Sequence, residues 1–338
     1  MGVFYTVMAF AFVALLIVNV VWLAINFYLW TTNGIQFLLQ GMNFAQRLYL
    51  SIYLKWIIVA DVIWLVAALS LALKRKHYKT DPDLHYLKYI PMKNPVICVV
   101  IPTFNESLAI ESVVKDFQNQ ENVRHVIVVD NNSTDNTADI AEECGARVIR
   151  KKQNMGFAHS CVIGLKEALK TDADTIALAE GEGTCNGYDL KKMIPYLDNC
   201  DMVVGTRQLQ VLSERGNQIK MIYVWGNFFL AKLIQIKFFS LLHMGVVSFT
   251  DVGCIYRVIR KEGLEKIIPR FTRPETDEVI PGLEFTVFMS IEALNSNLRI
   301  VEVPITFNKR RGVSKTGSDK KLKAILIGLR YLWYILKS

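Results

Sequence analysis

Hydrophobic and polar positions divide the chain into three regimes. Val3 to Trp30 is almost continuously apolar and carries no charge, longer than the roughly 20 residues that span a bilayer. It has neither a basic leading segment nor a small-residue cleavage site, so it reads as a retained span rather than a signal peptide. Trp56 to Leu73 is a second apolar run, containing Asp61 and flanked by Lys55 and Lys74-Arg75-Lys76. Asp61 is expected between helices or near the interface. The cluster Lys74, Arg75, Lys76, His77 and Lys79 assigns that end to the cytosol under the positive-inside rule. The pattern therefore predicts two transmembrane helices over residues 1–74, with the loop Thr31 to Leu48 outside and everything after Lys74 cytosolic. Residues 75–95, polar and containing Pro82, Pro91 and Pro95, read as a linker.

From residue 96 the period changes. Val96–Ile101 is β-branched and apolar, suited to a strand buried on both faces. A helix is predicted over Ile110–Gln118, a strand over His125–Val129, and a helix ending near Cys144 with Gly145 as its stop. Further strands are expected at Arg147–Arg150, Thr175–Ala179 and Met202–Val204, with a helix over Phe157–Leu169. Strand and helix alternate, so residues 96–318 are expected to form an α/β domain with a mostly parallel sheet. Met221 to Val247 is apolar but interrupted by Lys232, Lys237 and His243, which suits interfacial helices (221–249) better than a third span. Over 319–338, apolar positions 322, 325, 326, 329 and 333 fall at helical spacing among lysines and Arg330, predicting a membrane-surface helix.

Composition adds little to this division. The 338 residues are 52% hydrophobic with a net charge of +8, which points to an anionic partner: nucleic acid, a membrane surface or phosphorylated substrates. The six cysteines at 98, 144, 161, 185, 200 and 254 form no CxxC pair, so neither a zinc site nor a disulfide framework is indicated.

The chemistry concentrates where the strand at 175–179 ends, in Glu180-Gly181-Glu182-Gly183-Thr184. Alternation lets Glu180 and Glu182 face the same side. Adjacent carboxylates repel unless a cation or protons lie between them, and a hard divalent ion completed by substrate phosphates resolves that repulsion. A solvated Gly-Glu turn is the other reading of this stretch alone. In parallel sheets ligands sit at the carboxyl ends of strands, so Thr103–Glu106, Asp130–Asp135 and Glu180–Thr184 are expected to converge on one crevice. No G-x-G-x-x-G or Walker A pattern is present, which disfavours a dinucleotide-dependent dehydrogenase or a P-loop NTPase.

These segments carry a resemblance. Ile101-Pro102-Thr103-Phe104-Asn105-Glu106, Val128-Val129-Asp130-Asn131-Asn132-Ser133-Thr134-Asp135 and Glu180-Gly181-Glu182-Gly183 resemble family 2 glycosyltransferases of GT-A fold. The nearer likeness is to their dolichol-phosphate mannose synthase and polyprenyl-phosphate glycosyltransferase branch. Asn154-Met155-Gly156, Gly205-Thr206-Arg207, Asp251 to Arg257, Glu284 and Arg310-Arg311-Gly312-Val313-Ser314-Lys315 follow in order, so the resemblance covers about residues 96–318.

The resemblance implies that Pro102, Thr103, Glu106 and Asn132 line the nucleotide and that Asp130 accepts from its base. The other reading of Asp130 is a helix N-cap in the Asp-Asn-Asn-Ser run. It further implies that Glu180, beside Gly181, meets the ribose, that Glu182 holds Mg²⁺ or Mn²⁺, and that Arg207 meets the diphosphate. The family usually has Asp at both 180 and 182; Glu is one methylene longer. Asp251 and Glu284 are candidates for the reacting centre, with Glu182, Arg310 and Lys315. Arg257, Arg310 and Lys315 would bind an acceptor phosphate, or form a basic stripe facing anionic headgroups.

The leading expectation is a membrane-anchored, inverting glycosyltransferase using a UDP- or GDP-sugar and a polyprenyl or dolichyl phosphate at the cytosolic face. The expected partners are donor, acceptor and bilayer, with self-association open and nucleic acid excluded. A hydroxyl acceptor on a lipid or glycan, and a silent nucleotide-sugar-binding protein, are the alternatives. The Q-x-x-R-W motif of processive synthases is missing from the sequence.

Overall fold

The computed structural model describes residues 89–208, 212–215, 221–238, 249–276, 278–280, 284–312 and 321–338. At 221–223, 236, 321–324, 336 and 337 it describes the backbone alone. It also describes positions 7, 11, 14, 15, 17–21, 24, 25, 28, 31, 32, 56, 59, 60, 62, 63 and 66, all helical. The chain divides into two compact units, Met1–Lys79 with Leu336–Ser338, and Thr80–Ile335. Among the described residues no helix is long and apolar enough to cross a membrane. Most of the expected hairpin, including Asp61 and the basic cluster after Leu73, lies outside the described residues.

The second unit is built on a seven-stranded sheet in the order β3-β2-β1-β4-β6-β5-β7. Its strands are β1 (Ile97–Thr103), β2 (Val123–Asp130), β3 (Arg147–Arg150), β4 (Thr175–Leu178), β5 (Met202–Thr206), β6 (Arg257–Arg260) and β7 (Ile300–Pro304). All ladders are parallel except those of β6, which runs antiparallel to both β4 and β5. The expected α/β domain with a mostly parallel sheet is what forms.

β1 extends two residues beyond its expected end, through Pro102 to Thr103. The β1–β4 ladder stops at Val100↔Leu178, and alternation turns Pro102 toward that vacated edge. The missing N–H of proline therefore removes no ladder bond, while Pro102 and Thr103 continue to pair with β2.

Helices α1 (Ile110–Gln118), α2 (Thr137–Glu143) and α3 (Phe157–Leu169) follow the first three strands. Ile110, Val113, Val114 and Phe117 of α1 pack on Ile97, Val99 and Ile101, the alternate residues of β1. α3 covers the opposite face of β1 and β2. Both faces are buried, which is why the strands read as continuous apolar runs.

After β4 come a short helix α4 (Leu190–Met193), then α5 (Met221–Lys237), α6 (Lys261–Ile267), α7 (Phe285–Asn295) and α8 (Lys321–Lys337). α5 buries Leu230, Ala231, Leu233 and Ile234 but exposes Trp225, Phe228 and Phe229. α8 turns Tyr331 and Tyr334 onto α7, where Tyr331 meets the Thr286 hydroxyl at 3.3 Å and Tyr334 packs on Phe288. Its apolar stripe of Ile325, Leu326, Leu329 and Trp333 faces outward, each side chain about half exposed or more.

Candidate active site

The carboxyl ends of β1, β2 and β4 present the three polar loops on one side of the sheet, because the three strands are parallel and adjacent. The first two loops are tied together. The Asn105 N–H donates to Ser133 Oγ at 2.9 Å, the Thr134 N–H to Asn105 Oδ1 at 2.8 Å, and the Glu106 N–H to Thr137 Oγ1 at 2.8 Å. Asn105 and Asn132 take left-handed backbone angles, φ 55° and 64°, which asparagine tolerates better than most residues. Thr103, Glu106 and Asp130 are buried and Asn132 is exposed. Asp130 does not cap α2, which begins at Thr137. Its carboxylate accepts the Ser133 N–H instead, at 3.1 Å to Oδ2.

The third loop is held from both flanks. Gly181 abuts β1: a Cβ there would lie 2.6 Å from Thr103 Cγ2. Glu180 accepts from Thr184 Oγ1 at 2.8 Å. The segment after β7 closes over the loop, with the Asn308 N–H donating to the Thr184 carbonyl at 2.9 Å and the Arg311 N–H to the Glu182 carbonyl at 3.1 Å. That closure brings Arg310 Nη2 to 2.7 Å from Glu182 Oε2. Burial, then the neighbouring Glu180 charge, pushes the Glu182 carboxyl up to about 8 against the pull of Arg310.

The donor set suits a hard divalent cation. Glu182 Oε1 is buried without a hydrogen-bond partner, and carboxylate oxygens are the ligands Mg²⁺ and Mn²⁺ take. No group of three or more His, Cys, Asp or Glu ligands gathers among the described residues. Substrate phosphates are oxygen ligands that would help to complete the coordination sphere of an ion held at Glu182.

Arg207 follows β5 and pairs bidentately with Asp251: Nε to Oδ2 at 2.6 Å and Nη2 to Oδ1 at 2.8 Å. Its guanidinium also lies over the Phe307 ring at 5.0 Å. Burial opposes the Arg207 charge, but Asp251 outweighs it and the guanidinium's pKa is raised. Asp251 is fully buried. Besides Arg207 it accepts from Asn227 Nδ2 at 3.1 Å and the Gly253 N–H at 3.3 Å. A carboxylate with its lone pairs so occupied is a poor general base. The structure places Asp251 against Arg207, which it holds through both carboxylate oxygens.

Glu284 stands at the start of α7, paired with Arg330 of α8 at 3.8 Å, and burial raises its pKa. Arg257 is 1% exposed. Its Nε and Nη2 donate to the Cys254 carbonyl at 3.3 Å, and Nη1 is buried without a partner. Burial pulls its pKa down to about 10. It is an interior cation beside the end of β4, opposite Leu178 in the ladder, rather than part of an exposed basic stripe. Lys315 lies outside the described residues.

Three contributors escape a motif reading. Glu302 of β7 accepts the Thr250 and Asp251 N–H groups at 2.8 and 3.1 Å. Lys151 donates to Asn131 Oδ1 at 2.5 Å and Ser160 Oγ at 3.3 Å. Asn227, the third, stands out in the sequence only as a polar residue between Trp225 and Phe228.

The family model described as "Glycosyl transferase family 2" matches residues 98–268. A polyprenol monophosphomannose synthase of Mycolicibacterium smegmatis is 26% identical over 230 residues, covering 65% of this chain and 81% of the relative. An undecaprenyl-phosphate mannosyltransferase of Micrococcus luteus is 24% identical over 228 residues, covering 65% and 86%. Glucosyl-3-phosphoglycerate synthase from Mycobacterium tuberculosis, solved with Mn²⁺, UDP and phosphoglyceric acid, shares the fold. Its TM-score is 0.51 at 17% identity, over 72% of this chain and 78% of that one.

Proposed function

The chain belongs to glycosyl transferase family 2, and from that premise we propose that it moves one sugar, with inversion, from a nucleotide-diphosphate donor to a polyprenyl or dolichyl phosphate at the cytosolic face of a membrane. The observation that carries the acceptor reading is the outward apolar surface of α5 and α8. Trp225, Phe228 and Phe229 on one, and Ile325, Leu326, Leu329 and Trp333 on the other, stand exposed on helices that reach the crevice. α5 reaches it through Asn227 and Asp251. α8 reaches it through Arg330, which pairs with Glu284 at 3.8 Å. A lipid lying along such a surface brings its headgroup to the site.

Pro102, Thr103, Glu106 and Asn132 enclose the nucleoside on this reading, and Asp130, braced by the Ser133 N–H, accepts from the base. Glu180 meets the ribose. Glu182 holds Mg²⁺ or Mn²⁺, which when bound offsets charge on the leaving diphosphate. Arg207, fixed by Asp251, turns its remaining edge to the diphosphate. The acceptor phosphate is already an anionic nucleophile, so the site needs cations more than a base: Arg310 and Lys315 in contact, Arg257 as a buried charge.

The test is transfer by membranes holding the full chain, given radiolabelled UDP- and GDP-sugars, Mg²⁺ or Mn²⁺ and a polyprenyl phosphate. Chloroform-extractable label released by mild acid is the expected product. Label that survives mild acid would assign a hydroxyl acceptor, and no transfer with any donor would overturn the proposal.

A further inference from the structure

The inner side of α5 is apolar where it meets the domain, with Leu230, Ala231, Leu233 and Ile234 buried. Asn227 breaks that pattern, and its amide reaches Asp251 Oδ1 at 3.1 Å. The same oxygen accepts from Arg207 Nη2 at 2.8 Å and the Gly253 N–H at 3.3 Å. There is no slack around this point. A Cβ on Gly253 would lie 3.1 Å from Asn227 Oδ1, 3.3 Å from its Nδ2 and 3.4 Å from Arg207 Nη2. The segment after β5, the turn at 251–253 and α5 therefore meet through one carboxylate.

We infer that Asn227 is a positioning residue for donor binding. It holds Asp251, Asp251 holds Arg207, and the diphosphate clamp thereby depends on how α5 is seated. The inference rests on the role proposed above for Arg207. Asp251 is buried and cannot take a replacement donor from bulk water, so losing the amide lets the carboxylate and the bidentate guanidinium shift together. Trp225, Phe228 and Phe229 of the same helix stand exposed.

The clamp contacts phosphate rather than base, which gives a readout that mere destabilisation does not move. Affinities of UDP, UMP, GDP and GMP are measured on the full-length protein with Mn²⁺, and the diphosphate-to-monophosphate ratio is followed. Asn227→Ala should lower that ratio roughly ten- to hundredfold for the better-bound base, as expected for loss of a hydrogen bond to a charged group. Asn227→Asp, which sets a second carboxylate against Asp251, should lower it further, and Asn227→Gln should restore part of it. Gly253→Ala crowds the same point from the other side and should reproduce the loss if Asn227→Ala folds poorly. Arg207→Met is the reference. If Arg207→Met leaves the ratio unchanged, the reading of Arg207 fails. If it lowers the ratio while the Asn227 and Gly253 variants do not, the positioning role of Asn227 is refuted.

Discussion

Gly181 separates the two carboxylates, and replacing it with alanine isolates one physical effect. Its φ lies outside the left-handed region, unlike that of Gly183 at +80°, so an alanine meets no backbone penalty. It meets β1. The new Cβ would stand 2.6 Å from Thr103 Cγ2, 3.5 Å from Ile101 Cγ2 and 3.6 Å from the Pro102 carbonyl oxygen. Carbon pairs settle at about 3.5–4.0 Å, so only the Thr103 methyl is in collision, by roughly 1 Å. Thr103 cannot easily turn away, because it is buried and its hydroxyl donates to the Val129 carbonyl at 3.4 Å. Overpacking of this kind costs about 1–3 kcal/mol, which for a domain of this size lowers Tm by roughly 2–4 °C per kcal/mol.

The Thr103 methyl is also the remedy. Thr103→Ser removes Cγ2 and keeps the hydroxyl, so the pair Gly181→Ala with Thr103→Ser should recover most of the lost Tm, with a coupling energy of about 1 kcal/mol or more. Thermal unfolding of the full chain reads both numbers. A Gly181→Ala protein as stable as wild type, or a double variant no better than the single, would refute the packing argument. It would also show that Glu180 and Glu182 are not held against β1.

Three further outcomes follow from the same geometry. Arg310→Gln removes the guanidinium from Glu182 Oε2 and should tighten Mn²⁺ binding to the nucleotide-free protein, read from free Mn²⁺ by electron paramagnetic resonance, while lowering transfer; weaker Mn²⁺ binding would contradict this. Asp251→Asn leaves the part-buried Arg207 charge unmatched and should cost stability, by at most about 3 kcal/mol given that partial exposure, read by urea unfolding, where an unchanged midpoint with only kcat reduced would instead mark a base. Burial holds the Lys151 amine at about 8, below its usual value. The unfolded chain therefore binds that proton more tightly, and stability is lowest below pH 8 and climbs as pH rises through the window above it. Lys151→Met should flatten that climb, by at most about 1 kcal/mol once solvent screening is counted.

β1, β2, β4 and β5 were legible because they are apolar runs buried over most of their length and each ends at a polar break, whereas β6 and β7 were not singled out in the sequence. Phe157–Leu169 and Ile110–Gln118 form as the periodicity predicts. The extension of β1 through Pro102 was not legible, since it depends on which edge a neighbouring strand leaves unpaired. The outward stripe of α8 could be read at 325, 326, 329 and 333, because four apolar positions at helical spacing need no partner to be recognised. Pairings between distant residues were not readable in the same way. Asp251 and Arg207 were each picked out as chemically active, yet 44 positions separate them. Only the sheet order, with β5 beside β6, shows that one is spent holding the other. Asn227 and Glu302 belong to no motif and became visible only through the groups they hold.

That pairing changes how charge is distributed in the crevice. Arg207 and Asp251 cancel, so on the proposed reading Arg207 would offer the donor direction and hydrogen bonds but no net charge. Glu180 and Glu182 together carry two negative charges when ionised, and a divalent ion at Glu182 would cancel these in turn. On the proposed reading, two anions must still meet in the crevice, the donor diphosphate and the acceptor phosphate, and their repulsion in a partly dry site is large. On the same reading the uncancelled positive charge comes from Arg257 and Arg310, with Lys315 beside them in the sequence motif. Arg257 is fixed inside the sheet end, with Nη1 unmatched by any hydrogen-bond partner. Arg310 is engaged by Glu182, and a cation on that carboxylate would compete with it. Metal and donor arriving first would therefore release positive charge toward the acceptor, whereas an acceptor arriving first would find Arg310 occupied. Donor before acceptor is the order this arrangement favours. Product-inhibition kinetics in which the nucleoside diphosphate competes with the acceptor phosphate rather than with the donor sugar would reverse it.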